Sequence, residues 1–186
     1  MSTPHLSRRL CLLSGLVCAT EPLWAQTAPL PWREAVAGLQ TRGTYHFRYL
    51  GMSIYHAELQ VATGFEPTRF VQHRFALNLT YTRNFKGLAI ADRTISEMQT
   101  LAQRNGLAWE FSRVDSWQRQ LRTLIPDVQS GDLITGLHLP MQGTALFLNQ
   151  TPLGTVKGVE FAELFFGIWL SPLSAQPAMR QALLAT

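Results

Sequence analysis

Cysteine and lysine are scarce in this chain. Of its 186 residues only two are cysteine, Cys11 and Cys18, and only two are lysine, Lys86 and Lys157. A chain so poor in thiols has no disulfide framework and no thiolate zinc site. Charged residues make up 15% of the chain and hydrophobic residues 46%. This balance excludes a disordered chain and supplies enough apolar surface for the core of one domain.

Long hydrophobic runs are also missing. The apolar run at 10–19 is about half as long as the ~20 residues that cross a bilayer. It follows Arg8 and Arg9, and the small residue Ala25 comes after it, which is the layout of a secretory signal. We therefore expect residues 1–25 to be a signal peptide cleaved after Ala25. The mature protein, 26–186, would be a single periplasmic or secreted domain without a membrane span.

Several kinds of functional site are excluded by what the chain does not contain. The arginines are scattered singly rather than clustered in a basic stripe, so nucleic-acid binding is not expected. The sequence has no glycine-rich phosphate loop, no Gly-x-Ser-x-Gly elbow and no His-Glu-x-x-His motif. His46 and His56 can meet on paired strands, but two imidazoles without a carboxylate do not make a metal site. We expect neither a metal nor a cofactor.

Hydrophobic periodicity predicts an α+β fold. Apolar and polar residues alternate, or form short apolar runs between turn residues, in six segments that we interpret as strands. These segments are 44–50, 54–61, 70–83, 133–139, 144–148 and 154–156. Helical spacing or a continuous apolar surface marks four further segments, which end at Asn105, before Pro126, at Leu170 and at Leu184. This order predicts helices packed on an antiparallel sheet.

The strand predicted over 70–83 suggests a binding site. Its alternation puts Arg83 on the same face as Tyr81, and Tyr55 is also expected to point inward. An arginine beside tyrosines in an apolar pocket suits a carboxylate or enolate, because it offers two donors and a hydroxyl beside apolar walls. In the alternative interpretation, Arg83 lies past the strand end, reaches water and pairs with Asp92 or Glu97.

A series of short motifs, in one order along the chain, carries a family resemblance. From Arg48 onward the chain resembles the chalcone isomerase-like domain of exported bacterial proteins. The resemblance implies an open-faced β-sandwich, in which a large antiparallel sheet has helices packed on one face. The matching motifs are Ile54-Tyr55-His56-Ala57-Glu58-Leu59, residues 75–83, Ile90-Ala91, Ser96-Glu97-Met98, Pro126-Asp127-Val128, Gly131-Asp132, residues 165–170, Arg180 and Leu183-Leu184.

The resemblance also carries expectations about activity. Relatives of this fold include enzymes that close chalcones into flavanones, fatty-acid binders, and members that bind without catalysis. In the enzymes an arginine on an early strand and a threonine on the next position the substrate. Arg48 is the best match to the arginine, and the threonine position falls near Tyr55. The helical tyrosine, lysine and asparagine of the enzymes correspond to Ala91, Thr94 and Met98, so the catalytic set is absent.

We therefore expect an exported, cofactor-free protein that binds a small-molecule or lipid-like ligand without catalysis. The ligand would be small and apolar, or an acyl chain, with an anionic head. Arg48 and Arg83 are the candidate partners of the anion, and Tyr55 and Tyr81 are candidate hydroxyl donors. Two alternatives remain: an isomerase of the chalcone isomerase type using the same residues, and an envelope interaction protein that docks through its sheet edge or apolar helix. The sequence does not define the oligomeric state.

Overall fold

The computed structural model of this protein describes residues 32–107 and 110–185. The signal peptide predicted for residues 1–25 therefore lies outside the described residues, and its cleavage stays a prediction. Within the described ranges, none of the helices is both long enough and apolar enough to cross a membrane.

One antiparallel sheet forms the centre of the described structure. Its six strands, β1 to β6, lie side by side in the order in which they occur along the chain. The predicted α+β architecture, with an antiparallel sheet and helices on one face, is confirmed. The strands are β1 Gln40–Tyr49, β2 Met52–Val61, β3 Phe75–Tyr81, β4 Leu133–Leu139, β5 Gly143–Leu148 and β6 Thr151–Val156.

Within residues 32–107 and 110–185, four longer α-helices and one single-turn α-helix accompany the sheet. The second helix ends at Arg104, where Asn105 and the positive φ of Gly106 stop it as predicted. The third ends two residues before Pro126, because a residue that precedes proline avoids helical backbone angles. The helices are α1 Trp32–Ala35, α2 Gly87–Arg104, α3 Phe111–Leu124, α4 Val159–Leu170 and α5 Pro177–Leu184.

The strand predicted over 70–83 is wrong at both ends. Pro67–Gln72 forms a 3-10 helix, and β3 begins only at Phe75 and ends at Tyr81. Pro67 favours this turn because its ring holds φ near the helical value. Phe70, which the alternation pattern placed in the strand, is instead buried from the 3-10 helix. Arg83 consequently lies beyond the strand.

The main core lies between one face of the sheet and helices α2, α4 and α5. Leu77 from the central strand β3 and Phe166 from α4 are almost completely buried there. The ring of Phe166 meets that of Phe75 edge-on, with centroids 4.6 Å apart. As the continuous apolar surface of α4 predicted, this helix is deeply buried.

A smaller apolar cluster covers part of the opposite face of the sheet. Trp32 and Ala35 from α1 pack there against Ala76, Leu137 and Phe147. The ring of Trp32 meets the ring of Phe147 edge-on at 5.2 Å. The segment before β1 therefore protects part of the second face from water.

Helix α5 is held against the edge strand β1 at Gly43. A Cβ atom at Gly43 would lie 2.1 Å from the carbonyl oxygen of Ala182 and 2.6 Å from that of Leu183. Arg42, the preceding residue, donates a hydrogen bond from Nε to the carbonyl oxygen of Leu184 at 2.9 Å. The missing side chain lets the end of α5 approach the strand closely, and the arginine satisfies one of its final carbonyl groups.

Gly43→Ala should lower the free energy of unfolding by about 1–3 kcal/mol, because α5 must move away from β1 to admit the methyl group. Thr44→Val is the matched control, since Thr44 is the exposed next residue, and it should change stability by less than about 0.5 kcal/mol. Urea unfolding of both variants measures the difference. Equal stability of the two would show that α5 does not require this close approach.

Candidate ligand cavity

A cavity of about 410 Å³ lies between the main-core face of the sheet and helices α2, α4 and α5. Its volume is within the range of about 300–1,000 Å³ that is typical of small-molecule sites. Most of its wall is apolar. The apolar lining residues are Phe47, Ile54, Leu79, Phe85, Ala89, Ile90, Ile125, Ile134, Leu146, Phe165, Ile168, Ala175 and Met179.

Four aromatic rings form one side of the cavity. Phe47 stacks on Tyr55 at 5.0 Å, and Tyr55 meets Tyr81 edge-on at 6.0 Å. Tyr81 in turn meets Phe85 edge-on at 5.6 Å. The antiparallel register creates this series, because Phe47 pairs with Tyr55 and Tyr55 pairs with Tyr81 across neighbouring strands.

Two phenol groups, the half-buried Tyr55 and the buried Tyr81, contribute polar atoms to the cavity. The Tyr55 hydroxyl accepts a hydrogen bond from Trp169 Nε1 at 3.1 Å and donates a longer one, 3.9 Å, to the sulfur of Met179. The Tyr81 hydroxyl makes no hydrogen bond to any described residue. Burial raises the pKa of Tyr55 to about 12 and also raises the pKa of Tyr81. Both groups are therefore neutral hydroxyls at physiological pH.

Charge is confined to one side of the cavity, on α2. Arg93 and Glu97 both line it and form an ion pair one helical turn apart. The Arg93 side chain is 69% exposed and that of Glu97 23%, so this pair marks the mouth of the cavity. Between them, Thr94 donates its hydroxyl to the carbonyl oxygen of Ile90 at 2.8 Å. Among the described residues, Arg93 is the one cation in the lining.

The four residues predicted to contact a ligand divide into two groups. Tyr55 and Tyr81 line the cavity, whereas Arg48 and Arg83 are exposed and are not part of the lining. Arg48 donates a hydrogen bond from Nη2 to the carbonyl oxygen of Gly51 at 3.0 Å. The role of these four residues in ligand binding stays a prediction.

The inward orientation predicted for Arg83 is wrong. Since β3 ends at Tyr81, the alternation of faces does not extend to Arg83, whose guanidinium contacts the sulfur of Met52. The alternative was right about its exposure, but neither proposed ion pair forms. Asp92 is held by Arg122 through two hydrogen bonds of 2.7 and 2.9 Å, and Glu97 is paired with Arg93.

The helix positions that the resemblance aligns with the catalytic residues of the enzymes differ by one residue from those that line the cavity. Ala91 and Met98 are 0% exposed and belong to the core, and of the expected three only Thr94 lines the cavity. Ile90, Arg93 and Glu97 repeat the same three-and-four spacing one residue earlier, and all three line it. The alignment thus gave the correct spacing of the lining residues along α2, but placed two of the three positions one residue too far along the helix. The sequence signal that could have identified Arg93 and Glu97 is their opposite charge at i, i+4 spacing, which favours an ion pair on one face of a helix.

The two histidines considered for a metal site do lie together, outside the cavity lining. His46 and His56 are opposite each other on β1 and β2, with their rings stacked at 4.2 Å. Partial desolvation, together with the neighbouring His56 and Arg48, lowers the pKa of His46. Across residues 32–107 and 110–185, His, Cys, Asp and Glu form no group of three that could hold a metal ion.

Residues 50–185 match the family model described as chalcone isomerase-like. This chain belongs to the chalcone isomerase-like family. The membership confirms the resemblance seen in the sequence motifs. The matched region includes the sheet from β2 to β6, the helices α2 to α5, and therefore most of the cavity wall.

Two known proteins are similar to this member of the family. An uncharacterised protein of Haemophilus influenzae is 29% identical over 108 residues, which cover 58% of this chain and 50% of the relative. The chain thus spans about half the length of that relative. The crystal structure of a fatty-acid binding protein of Arabidopsis thaliana superposes with a TM-score of 0.63 at 8% identity, covering 80% of this chain and 87% of the other. This likeness establishes the fold.

Tyr55→Phe should lower the free energy of unfolding by about 1–3 kcal/mol, because the buried Trp169 N–H loses its acceptor. Tyr81→Phe is the matched control. Its hydroxyl has no partner among the described residues, so its removal should cost less than about 0.5 kcal/mol. Denaturant unfolding followed by tryptophan fluorescence measures both. A cost for Tyr81→Phe as large as that for Tyr55→Phe would contradict the assigned bonding.

The buried phenols should make the fold sensitive to alkali. Burial raises the pKa of Tyr55 from 10.0 to about 12, so between these values the unfolded chain loses a proton that the folded chain keeps. Stability should therefore fall as pH rises from about 10 towards 12. Unfolding measured across this range should show a shallower fall in Tyr81→Phe, which lacks one of the two phenols. The same slope in both proteins would show that Tyr81 is not protected from ionisation.

Proposed function

We propose that this protein binds, without converting it, an acyl-chain or other apolar molecule that has an anionic head. The observation that supports the proposal best is the 410 Å³ apolar cavity with a single lining cation, Arg93, among the described residues. The apolar part of the ligand lies against the aromatic and aliphatic wall. The anionic head lies at the mouth, beside the guanidinium of Arg93.

The distribution of charge determines this orientation. An ionised carboxylate is costly to bury without a cation, and away from the mouth the polar groups of the described lining, among them the hydroxyls of Tyr55 and Tyr81, are uncharged. At the mouth, Arg93 offers two parallel N–H donors that match the two oxygens of a carboxylate. The head group of a bound fatty acid is therefore more stable at the mouth than in the interior. The two tyrosine hydroxyls remain proposed donors for any neutral oxygen carried by the rest of the ligand.

Glu97 sets the strength of this contact. It is already paired with Arg93, so an incoming carboxylate must compete with it for the guanidinium. Because the pair is partly exposed, each of these ionic contacts is weak and is screened by salt. Most of the binding free energy must then come from burial of the apolar part, and the head group supplies selectivity.

The lining favours binding over catalysis. The two phenols keep their protons at neutral pH because burial raises their pKa values, so they are poor general bases. Glu97, the carboxylate in the described lining, is occupied by Arg93 at the mouth. The Arabidopsis fatty-acid binding protein of the same fold agrees with a binding role, although it shares only 8% identity. The isomerase alternative predicts turnover of naringenin chalcone above the spontaneous rate, followed by ultraviolet absorbance.

Export to the periplasm is part of the proposal. Its support is the arrangement of Arg8, Arg9 and the apolar run 10–19 ahead of Ala25. The mass of the protein recovered from the periplasm tests it, because cleavage after Ala25 leaves a chain that begins at Gln26. A protein that keeps residues 1–25 and stays in the cytoplasm would contradict it.

Arg93→Gln should weaken binding of a fatty acid by about three- to tenfold, since a charged contact at the mouth is lost in a partly exposed setting. Glu97→Gln should strengthen binding about two- to fivefold, because it removes the carboxylate that competes for Arg93. Displacement of dansyl-undecanoic acid by palmitate measures both effects. The corresponding alcohol, hexadecanol, should bind the wild-type and both variants equally well.

Arg119→Gln is the matched control, because Arg119 is an exposed arginine on α3 that does not line the cavity. It should leave palmitate binding unchanged. If palmitate does not displace the probe from the wild-type protein, the proposed ligand class is wrong. If Arg93→Gln behaves like Arg119→Gln, the head group does not lie at Arg93.

A further inference from the structure

Exposed apolar side chains are concentrated beside the mouth of the cavity. At the tip of the β1–β2 hairpin, Tyr49 is 53% exposed, Leu50 82% and Met52 45%. Leu88, at the start of α2, is 59% exposed. Tyr49 and Ala89, the residue after Leu88, both line the cavity, so the hairpin tip and the start of α2 both belong to its wall. Exposed apolar residues that adjoin one another, as at the hairpin tip, mark a surface that meets a partner.

The residue at the hairpin turn is unfavourable for the fold itself. The two turn residues, Leu50 and Gly51, both have positive φ, 49° and 79°, as in a type I′ turn. Such turns favour asparagine followed by glycine, because asparagine tolerates positive φ and is polar. Leucine at this position is both strained and exposed to water, as is Met141 in the turn between β4 and β5. Leu50 differs from Met141 in having exposed apolar neighbours, Tyr49 and Met52, with which it forms an apolar tip.

Two arginines flank the same tip. Arg48 hydrogen-bonds to the carbonyl oxygen of Gly51, and the guanidinium of Arg83 contacts the sulfur of Met52. Both are exposed, and neither has an acidic partner among the described residues. Lys86, which lies near Leu88 in the chain, is neutralised by Asp127. The apolar tip therefore carries a net positive charge.

We propose that this tip, formed by Tyr49, Leu50, Met52, Leu88, Arg48 and Arg83, docks on the surface of an anionic phospholipid bilayer. The apolar side chains enter the boundary between head groups and acyl chains, and the two guanidinium groups bind lipid phosphates. Exposed apolar groups beside cations are the combination that binds such surfaces. Docking brings the mouth of the cavity to the bilayer. That an acyl-chain ligand then enters the cavity from the membrane rests on the proposed function, whereas docking itself does not.

Charge complementarity favours a bilayer over a protein partner. A convex two-residue turn offers a small apolar contact area, smaller than a stable protein–protein interface buries. The same area is sufficient when a few apolar side chains insert among lipids. Both arginines present planar donors suited to phosphate oxygens. Arg48 and Arg83, which the sequence marked as anion partners, thus bind anions outside the cavity.

The experiment compares two substitutions at exposed turn residues. Met141, in the turn between β4 and β5, is 92% exposed and has a positive φ of 65°, so it matches Leu50 in exposure and backbone. Asparagine suits positive φ at both positions, so Leu50→Asn and Met141→Asn should both fold. Vesicle flotation is measured with phosphatidylcholine alone and with added phosphatidylglycerol. Residues 1–31 are the same in every variant, so their own contribution to vesicle binding cancels.

Leu50→Asn should weaken binding to the anionic vesicles by about tenfold or more, because the free energy gained when the leucine side chain passes from water into the bilayer is lost. Met141→Asn should bind like the wild type. Arg48→Gln and Arg83→Gln should each weaken binding about fivefold, and Arg119→Gln should not. Binding of all proteins should decline with added salt and with removal of phosphatidylglycerol.

Palmitate binding in solution should be unchanged by Leu50→Asn, because Leu50 is not in the cavity lining.

Three results would overturn the proposal. Equal vesicle binding by Leu50→Asn and Met141→Asn would show that the tip does not insert. Absence of wild-type binding to the anionic vesicles would exclude the bilayer. A dimer detected by light scattering, lost in Leu50→Asn and unaccompanied by vesicle binding, would assign the tip to a second copy of the chain. If the wild type binds vesicles but not palmitate, docking stands and the proposed function fails.

Discussion

The packing of α4 on the main-core face of the sheet is the constraint on which the rest of this structure depends. The ring of Phe166 fits against Phe75, and this contact is completely buried. Phe165, the residue before Phe166, and Trp169, about one turn after it, belong to the same core but also line the cavity. The same apolar helix therefore supplies both the stability of the fold and part of the ligand wall. Substitutions that weaken the core at these positions must also change the cavity.

The electrostatic arrangement separates the interior of the cavity from its mouth. In the interior, the phenols of Tyr55 and Tyr81 are kept neutral by burial, which raises their pKa values. At the mouth, Arg93 and Glu97 form an ion pair, and solvent reaches both side chains. Such a gradient suits a molecule with one apolar end and one charged end. Beyond the mouth, the hairpin tip again combines exposed apolar side chains with two arginines, which is the basis of the proposed docking on a membrane surface.

Prediction from the sequence succeeded where local signals and burial agree. β4 has the predicted bounds and α5 ends at the predicted residue, because local signals mark these ends and the apolar residues of each element follow one period. It failed at 70–83, where a 3-10 helix after Pro67 carries an apolar residue that also fits strand alternation. Whether Phe70 belongs to a strand or to a 3-10 helix depends on how the segment packs against its neighbours. The orientation of Arg83 followed from that error, since alternation ends with the strand.

The sequence by itself determined which family and fold class the chain adopts, because hydrophobic periodicity and the order of motifs are properties of the chain. It also identified Tyr55 and Tyr81 as inward-facing, since both lie within regular strands. Only the tertiary structure decided which face of α2 meets the cavity. A shift of one residue turns a helix by about 100°, and how far the cavity extends around α2 depends on the packing of this helix against its neighbours. For this reason Arg93 lies at the mouth, while Ala91 and Met98 belong to the core.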